Sequence, residues 1–223
     1  MNLMSGVRCY RVVEEGPWNM AVLSDVLSGQ TQFNYQFAMQ GIATDFIVLA
    51  ADADVGTTLP PDFPPHKLSV LLIRRGRATL PTEFRNLLGT PGGFINPTDK
   101  NLEATVSREL IEEARLQGVV PRQLFVTSEL GRDPRFLTHR GIRGISAYFG
   151  VIVSKASVPT LAHDADELGS ERGEVAGTEW VPLSEIPSKM AFDHRERLLE
   201  AIDIMTVKRP QDFAVQKALH ASI

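Results

Sequence analysis

Glu109, Glu112 and Glu113 crowd into one short segment, Arg108-Glu109-Leu110-Ile111-Glu112-Glu113. On a helix advancing about 100° per residue they fall within about 100° of arc. Val106, Leu110, Ile111 and Ala114 take the neighbouring arc. One side of such a helix can bury apolar surface while another presents three carboxylates. Gathered anions repel, and a divalent cation resolves the repulsion. Mg2+ takes oxygen ligands and usually shares them with substrate phosphates. Upstream lies Pro91-Gly92-Gly93-Phe94, a glycine pair next to this acidic helix.

The elements that must position these residues follow from the rest of the pattern. Phe46 to Ala50 and Leu68 to Ile73 are continuous apolar runs of strand length. Between them, Thr57 to His66 carries four prolines and is a loop. Leu87 to Thr90 is a short strand leading into the glycines, and a sharp loop follows through Asn96-Pro97-Thr98-Asp99. Asn101 is the expected N-cap of the acidic helix, which runs to about Leu116. Leu124 to Leu130, Ile145 to Val153 and Glu179 to Leu183 are further strands, and Asp164 to Gly177 is an acidic, glycine-containing loop. A last helix opens at Asp193-His194-Arg195-Glu196, where Asp193 caps and Glu196 follows three residues on. Leu198, Leu199, Ile202 and Met205 form its apolar face. Strands and helices mix without regular βαβ alternation, which favours an α/β sandwich with a mixed sheet over a doubly wound one.

Composition narrows the function classes. The 223 residues suit one domain, or one domain with an extension. A net charge of -4 argues against a strongly nucleic-acid-binding surface, although Arg132 to Arg143 is locally basic. Cys9 is the single cysteine, so no intrachain disulfide and no thiolate metal site can form. No apolar run approaches the ~20 residues of a membrane span. No basic-then-apolar leader opens the chain. The expectation is a cytoplasmic protein with no membrane and no nucleic-acid partner.

The segment from Gly93 to Glu113 resembles the Nudix box, G-x5-E-x7-R-E-U-x-E-E-x-G-U, where U is apolar. Gly93 matches its glycine; Arg108, Glu109, Leu110, Glu112 and Glu113 match R-E-U-x-E-E in order. Gly131-Arg132-Asp133-Pro134-Arg135, Trp180-Val181-Pro182-Leu183 and Ala191-Phe192-Asp193-His194 are similar to the ADP-ribose pyrophosphatase branch. That branch includes Nudix domains fused to nicotinamide-mononucleotide adenylyltransferases and Nudix-type regulators of NAD metabolism. The likeness runs from about Thr44 to Ile204. Three departures stand out: Asp99 occupies the place of the first Glu, eight residues instead of seven separate it from Arg108, and Arg115 replaces the box's terminal Gly, leaving Gly118 to end the helix.

The resemblance implies an α/β/α sandwich with a mixed central sheet. It divides the chain into an N-terminal extension at 1–40 that could act as a dimerisation arm, a Nudix domain at 41–207 and a C-terminal tail at 208–223. It implies hydrolysis of the diphosphate in a nucleoside diphosphate linked to X, with ADP-ribose giving AMP and ribose 5-phosphate. NADH, nucleotide sugars and dinucleoside polyphosphates are alternatives, as is a non-catalytic ADP-ribose sensor. Mg2+ or Mn2+ would sit on Glu109, Glu112, Glu113 and the Gly93 carbonyl. Arg108 would orient the adjacent glutamate, and a carboxylate of the 164–174 loop, Asp164 or Glu171, is a candidate to activate water. Arg132 and Arg135 would bind the pyrophosphate, with Gly92 and Phe94 also against the substrate. Phe46 is a second aromatic that could stack on adenine, whereas His194 is read as part of a helix cap and Phe192 as core. A homodimer is the expected assembly.

Overall fold

The computed structural model describes residues 41–76, 82–124, 144–158, 173, 175–192 and 194–220. Two long strands form the centre: β1 (Gly41–Ala51) and β7 (Gly144–Ser154), parallel over their whole length. β2 (Leu68–Arg75) runs antiparallel to β1 through Leu49–Ala51, and β8 (Val175–Pro182) lies antiparallel on the other edge of β2. Parallel and antiparallel pairs therefore share one sheet, as the apolar runs without βαβ alternation predict.

β1 contacts β2 only at its end. Its start, Ala43–Asp45, pairs with β4 (Gly92–Phe94), while β3 (Leu88–Gly89) pairs with the end of β2. The stretch β3-Thr90-Pro91-β4 thus fills the fork where β1 and β2 part. Phe46 N–H seals the fork by donating to the Pro91 carbonyl at 3.0 Å.

Strand alternation sorts the core into two layers. Phe46, Val48 and Ala50 of β1 pack with Val106, Leu110 and Ala114 of helix α1 (Leu102–Ala114). Ile47, Leu49 and Ala51 face the opposite way, towards Leu198 and Ala201 of helix α2 (His194–Asp203) and Met205 just beyond it. The result is the expected α/β/α sandwich. Among the described residues no helix is long and apolar enough to cross a membrane.

Several boundaries differ from the sequence reading. Asn101 caps α1 as expected, its side chain accepting from Ala104 N–H at 2.8 Å. The helix stops at Ala114, short of Leu116, because Arg115 itself turns left-handed at φ 53°. Arg115 thereby performs the terminating step assigned to Gly118, and Leu116 enters the short strand β5 (Leu116–Gln117). In the second helix Leu198 is fully buried but Leu199 is 41 % exposed, and Met205 falls in a π-helical turn at Ile204–Lys208. That turn rotates the following side chains off a strict 3.6-residue repeat. Val175–Gly177, read as loop, belongs to β8, and Leu183 has already left it for a 3-10 turn. β6 (Arg122–Gln123) begins pairing with β7 before Leu124; residues 125–130 of that expected strand lie outside the described residues, as do 1–40, 164–172 and Asp193.

The stretch set apart as a C-terminal tail is built into the fold as far as residue 220. β9 (Val215–Gln216) pairs parallel with β7, and β10 (Leu219–His220) pairs with β5. Phe213, Val215 and Ala218 are buried. Strands of two residues carry too little periodicity to be read as strands.

Candidate functional site

Helix α1 lays its acidic face along β4. Each glycine before it makes room for a specific neighbour. A Cβ on Gly93 would sit 2.0 Å from Glu109 Oε1, so the missing side chain is what lets the Glu109 carboxylate lie against the strand. Gly92 N–H donates to Glu113 Oε2 at 2.8 Å. A Cβ on Gly92 would meet the Thr44 carbonyl oxygen at 2.2 Å and Asp45 Oδ1 at 3.0 Å. Two of the three glutamates are thus fixed to the glycine pair. Glu109 is buried, whereas the Glu112 side chain is 54 % exposed.

Arg108 ties this arrangement together. Its Nη1 donates to Glu109 Oε1 at 2.7 Å and to Glu112 Oε2 at 3.0 Å; its Nη2 donates to the Phe94 carbonyl at 3.0 Å. Its Nε and Nη2 grip Asp99. A planar fork with five N–H donors suits such a hub. Burial alone would lower the pKa of the guanidinium. Asp99, Glu109 and Glu112 outweigh that and raise it, so Arg108 stays charged.

Asp99 therefore reaches Arg108 despite its shorter side chain and the extra loop residue. Its Oδ2 also accepts from Asn96 N–H at 2.8 Å and Thr105 Oγ1 at 3.0 Å, which closes the inserted loop onto α1. Partial burial pushes this carboxyl up, but the hydrogen bonds from Arg108, Asn96 and Thr105 prevail and hold it below the ordinary value.

The carboxylates fit a hard divalent cation in kind: three anionic oxygen donors beside a backbone that Gly93 leaves open. As placed, no group of three or more His, Cys, Asp or Glu side chains among the described residues is close enough to hold an ion. Arg108 stands between Glu109 and Glu112.

Of the other expected site residues, Gly92 and the Phe94 carbonyl are brought to the acidic face. Phe46 is not available for stacking: it is 0 % exposed in the layer beneath α1, where its hydrophobic area fills the core. Phe192 is only half-buried, contrary to a core reading, and its backbone is left-handed at φ 53°. Its ring lies against Phe84, with the Arg75 guanidinium 5.7 Å from its centroid. Asp164, Glu171, Arg132 and Arg135 lie outside the described residues.

A second polar group escaped the sequence reading. Asp45, Thr90, Ser146 and His194 meet behind the glycine strand. Burial pushes the Asp45 carboxyl above its ordinary value, against hydrogen bonds from Ser146, Tyr148 and Thr90 and the charge of Arg75. The available signal was one acid standing directly before the apolar run at Phe46.

The NUDIX domain model matches residues 31–201, more than half of the chain. The chain belongs to the Nudix family. A U8 snoRNA-decapping enzyme of Ovis aries is 28 % identical over 145 residues, covering 59 % of this chain and 70 % of that enzyme. Among solved structures, a mutT/nudix family protein from Listeria innocua aligns with TM-score 0.52 and 25 % identity, over 77 % of this chain and 97 % of its own. The NUDIX domain of Shewanella oneidensis NrtR, complexed with ADP ribose, aligns with TM-score 0.51 and 24 % identity, over 78 % and 95 %. Membership in the Nudix family makes this a domain for pyrophosphohydrolase chemistry on some nucleoside diphosphate linked to X.

Proposed function

We propose that this Nudix domain hydrolyses ADP-ribose to AMP and ribose 5-phosphate. The observation that carries the reaction class is the fixed apposition of Glu109 to Gly93 and of Glu113 to Gly92 N–H, with Arg108 as the hub. Glu109, Glu112, Glu113 and the Gly93 carbonyl would hold Mg2+ or Mn2+, which when bound offsets phosphate charge and lowers the pKa of water. Arg108 holds Glu109 in place and sets the spacing to Glu112. Glu109, or Asp164 or Glu171, accepts the proton of the attacking water. Arg132 and Arg135 hold the diphosphate through paired N–H donors, and Phe94 lines the substrate's approach. A homodimer, with residues 1–40 as its arm, and a cytoplasmic location complete this reading.

ADP-ribose as the substrate is supported by Gly131–Arg135 and Ala191–His194, which resemble that branch. A capped RNA end is the second reading, favoured by the likeness to the sheep decapping enzyme. The net charge of -4 weighs against it. The test is one panel of ADP-ribose, NADH, nucleotide sugars, dinucleoside polyphosphates and a capped oligonucleotide, each with Mg2+ and with Mn2+. AMP from ADP-ribose at the highest kcat/KM supports the proposal. Preference for the oligonucleotide replaces it with the decapping reading. Tight ADP-ribose binding without product makes the protein a sensor.

A further inference from the structure

The buried polar group behind β4 has no part in the proposed reaction, yet it contacts the strand that supports it. Thr90 and His194 are 1 % and 6 % exposed. Thr90 N–H donates to His194 Nδ1 at 2.9 Å. A backbone N–H can only donate, so Nδ1 carries a lone pair and the ring proton sits on Nε2. Thr90 Oγ1 lies 3.0 Å from the same Nδ1 and 3.4 Å from Asp45 Oδ1. Ser146 Oγ donates to the other Asp45 oxygen, and His194 Nε2 is 3.8 Å from Asp45.

The sequence makes space for this group. A Cβ on Gly89 would meet His194 Nδ1 at 2.9 Å, and one on Gly92 would meet Asp45. Ala191 N–H donates to the Leu88 carbonyl at 2.7 Å, so the entry to α2 docks on β3 beside the imidazole contact. His194 thus takes the place of a strand partner for Thr90. From Thr90 the backbone runs through Pro91, pinned by Phe46 N–H, to Gly92, whose own N–H holds Glu113.

We propose that His194 is a positioning residue for the diphosphate site: its lone-pair Nδ1 anchors Thr90 and so sets where Gly92 and Gly93 meet Glu113 and Glu109. This rests on the reaction proposed above. The side chain acts from the opposite layer of the sandwich, through the backbone, and touches no reacting atom.

The test compares His194→Ala with His194→Asn. The Asn amide oxygen can stand where Nδ1 stood and accept from Thr90; Ala offers no acceptor. His194→Ala should lower kcat about 10²-fold, the scale of an ångström of misplacement at a reacting centre, with KM little changed. His194→Asn should recover most of that loss. Hydrogen exchange at the Thr90 amide reads the anchor without substrate: slow in wild type and in His194→Asn, fast in His194→Ala. The ring 15N shifts of wild-type His194 should show the Nε2–H tautomer, which keeps the test decisive even if His194→Ala fails to fold. An Nδ1–H tautomer, unchanged kcat in a folded His194→Ala, or equal impairment in Ala and Asn variants overturns the proposal. A wild-type protein inert on every diphosphate, with the Thr90 amide still protected through His194, refutes the proposed reaction and not the anchor.

Discussion

Asp99 grips Arg108 through two hydrogen bonds, Nε to Oδ1 at 3.2 Å and Nη2 to Oδ2 at 3.0 Å. The pair is largely shielded, with side-chain exposures of 6 % and 24 %. Cutting it frees the guanidinium that holds Glu109. Asp99→Ala should cost about 1–3 kcal/mol, the range for losing charged hydrogen bonds, and should lower turnover as well. Asp99→Asn should fall between the two. Urea unfolding alongside steady-state kinetics checks both.

Asp99 and Asp45 predict opposite pH dependences. The folded-state pKa of Asp99 is depressed, so its stabilising contribution is present above the ordinary value of 3.8 and is lost as pH falls below it. The folded-state pKa of Asp45 is raised, so its contribution is full below 3.8 and is lost as pH rises through the elevated value. Asp45→Asn should therefore remove the part of the stability that wild type loses as pH rises above 3.8. A pH profile of urea midpoints identical to wild type would remove Asp45 from the account.

The adjacent glycines should separate fold from chemistry. In Gly92→Ala the new methyl meets the Thr44 carbonyl oxygen, a backbone atom that cannot step aside. Overpacking of this kind costs about 1–3 kcal/mol, so the midpoint should drop. In Gly93→Ala the methyl meets the end of the Glu109 side chain, which can swing away. That variant should stay folded and lose turnover, as seen by pairing calorimetry with product assays.

Glu113→Gln keeps an acceptor for Gly92 N–H and removes the charge. Glu112→Gln keeps an acceptor for Arg108 Nη1 and removes the charge on the exposed side. Each should retain the wild-type melting temperature and lose on the order of 10²-fold or more in kcat, the scale of removing one electrostatic contributor from an active site. Full activity in both would remove the acidic helix from the reaction.

Arg115 sits at φ 53°, where an L side chain is strained and Gly is not. Arg115→Gly restores the residue that the Nudix box carries there. It should stabilise the domain by roughly 0.5–1 kcal/mol, after the greater unfolded-state freedom of Gly is allowed for. Chemical denaturation decides the sign.

The legible parts of this molecule were local. One helix carries Arg108 and all three glutamates, so a single segment displayed their shared face, and Asn101 announced where it begins. The end of that helix was misread because nothing in an arginine advertises a left-handed backbone. Phe46 looked like a stacking surface until the layer beneath α1 enclosed it. His194 and Thr90 are 104 residues apart, and only the docking of α2 onto β3 makes them partners. No spacing rule connects a helix opening to a strand that far upstream. The closing strands at 215–220 failed for a different reason: two-residue pairings are dictated by the edge they meet, not by their own pattern.

The eleven-residue parallel match of β1 with β7 governs how the chain is made. Asp45 and its partner Ser146 are 101 residues apart, so translation at roughly 5–20 residues per second leaves the first strand waiting some 5–20 seconds for the second. The acidic helix and its glycine strand leave the ribosome early, while the floor they rest on is still missing. Until it arrives, the nascent domain exposes an open strand edge of the sort that chaperones shield and neighbouring chains exploit.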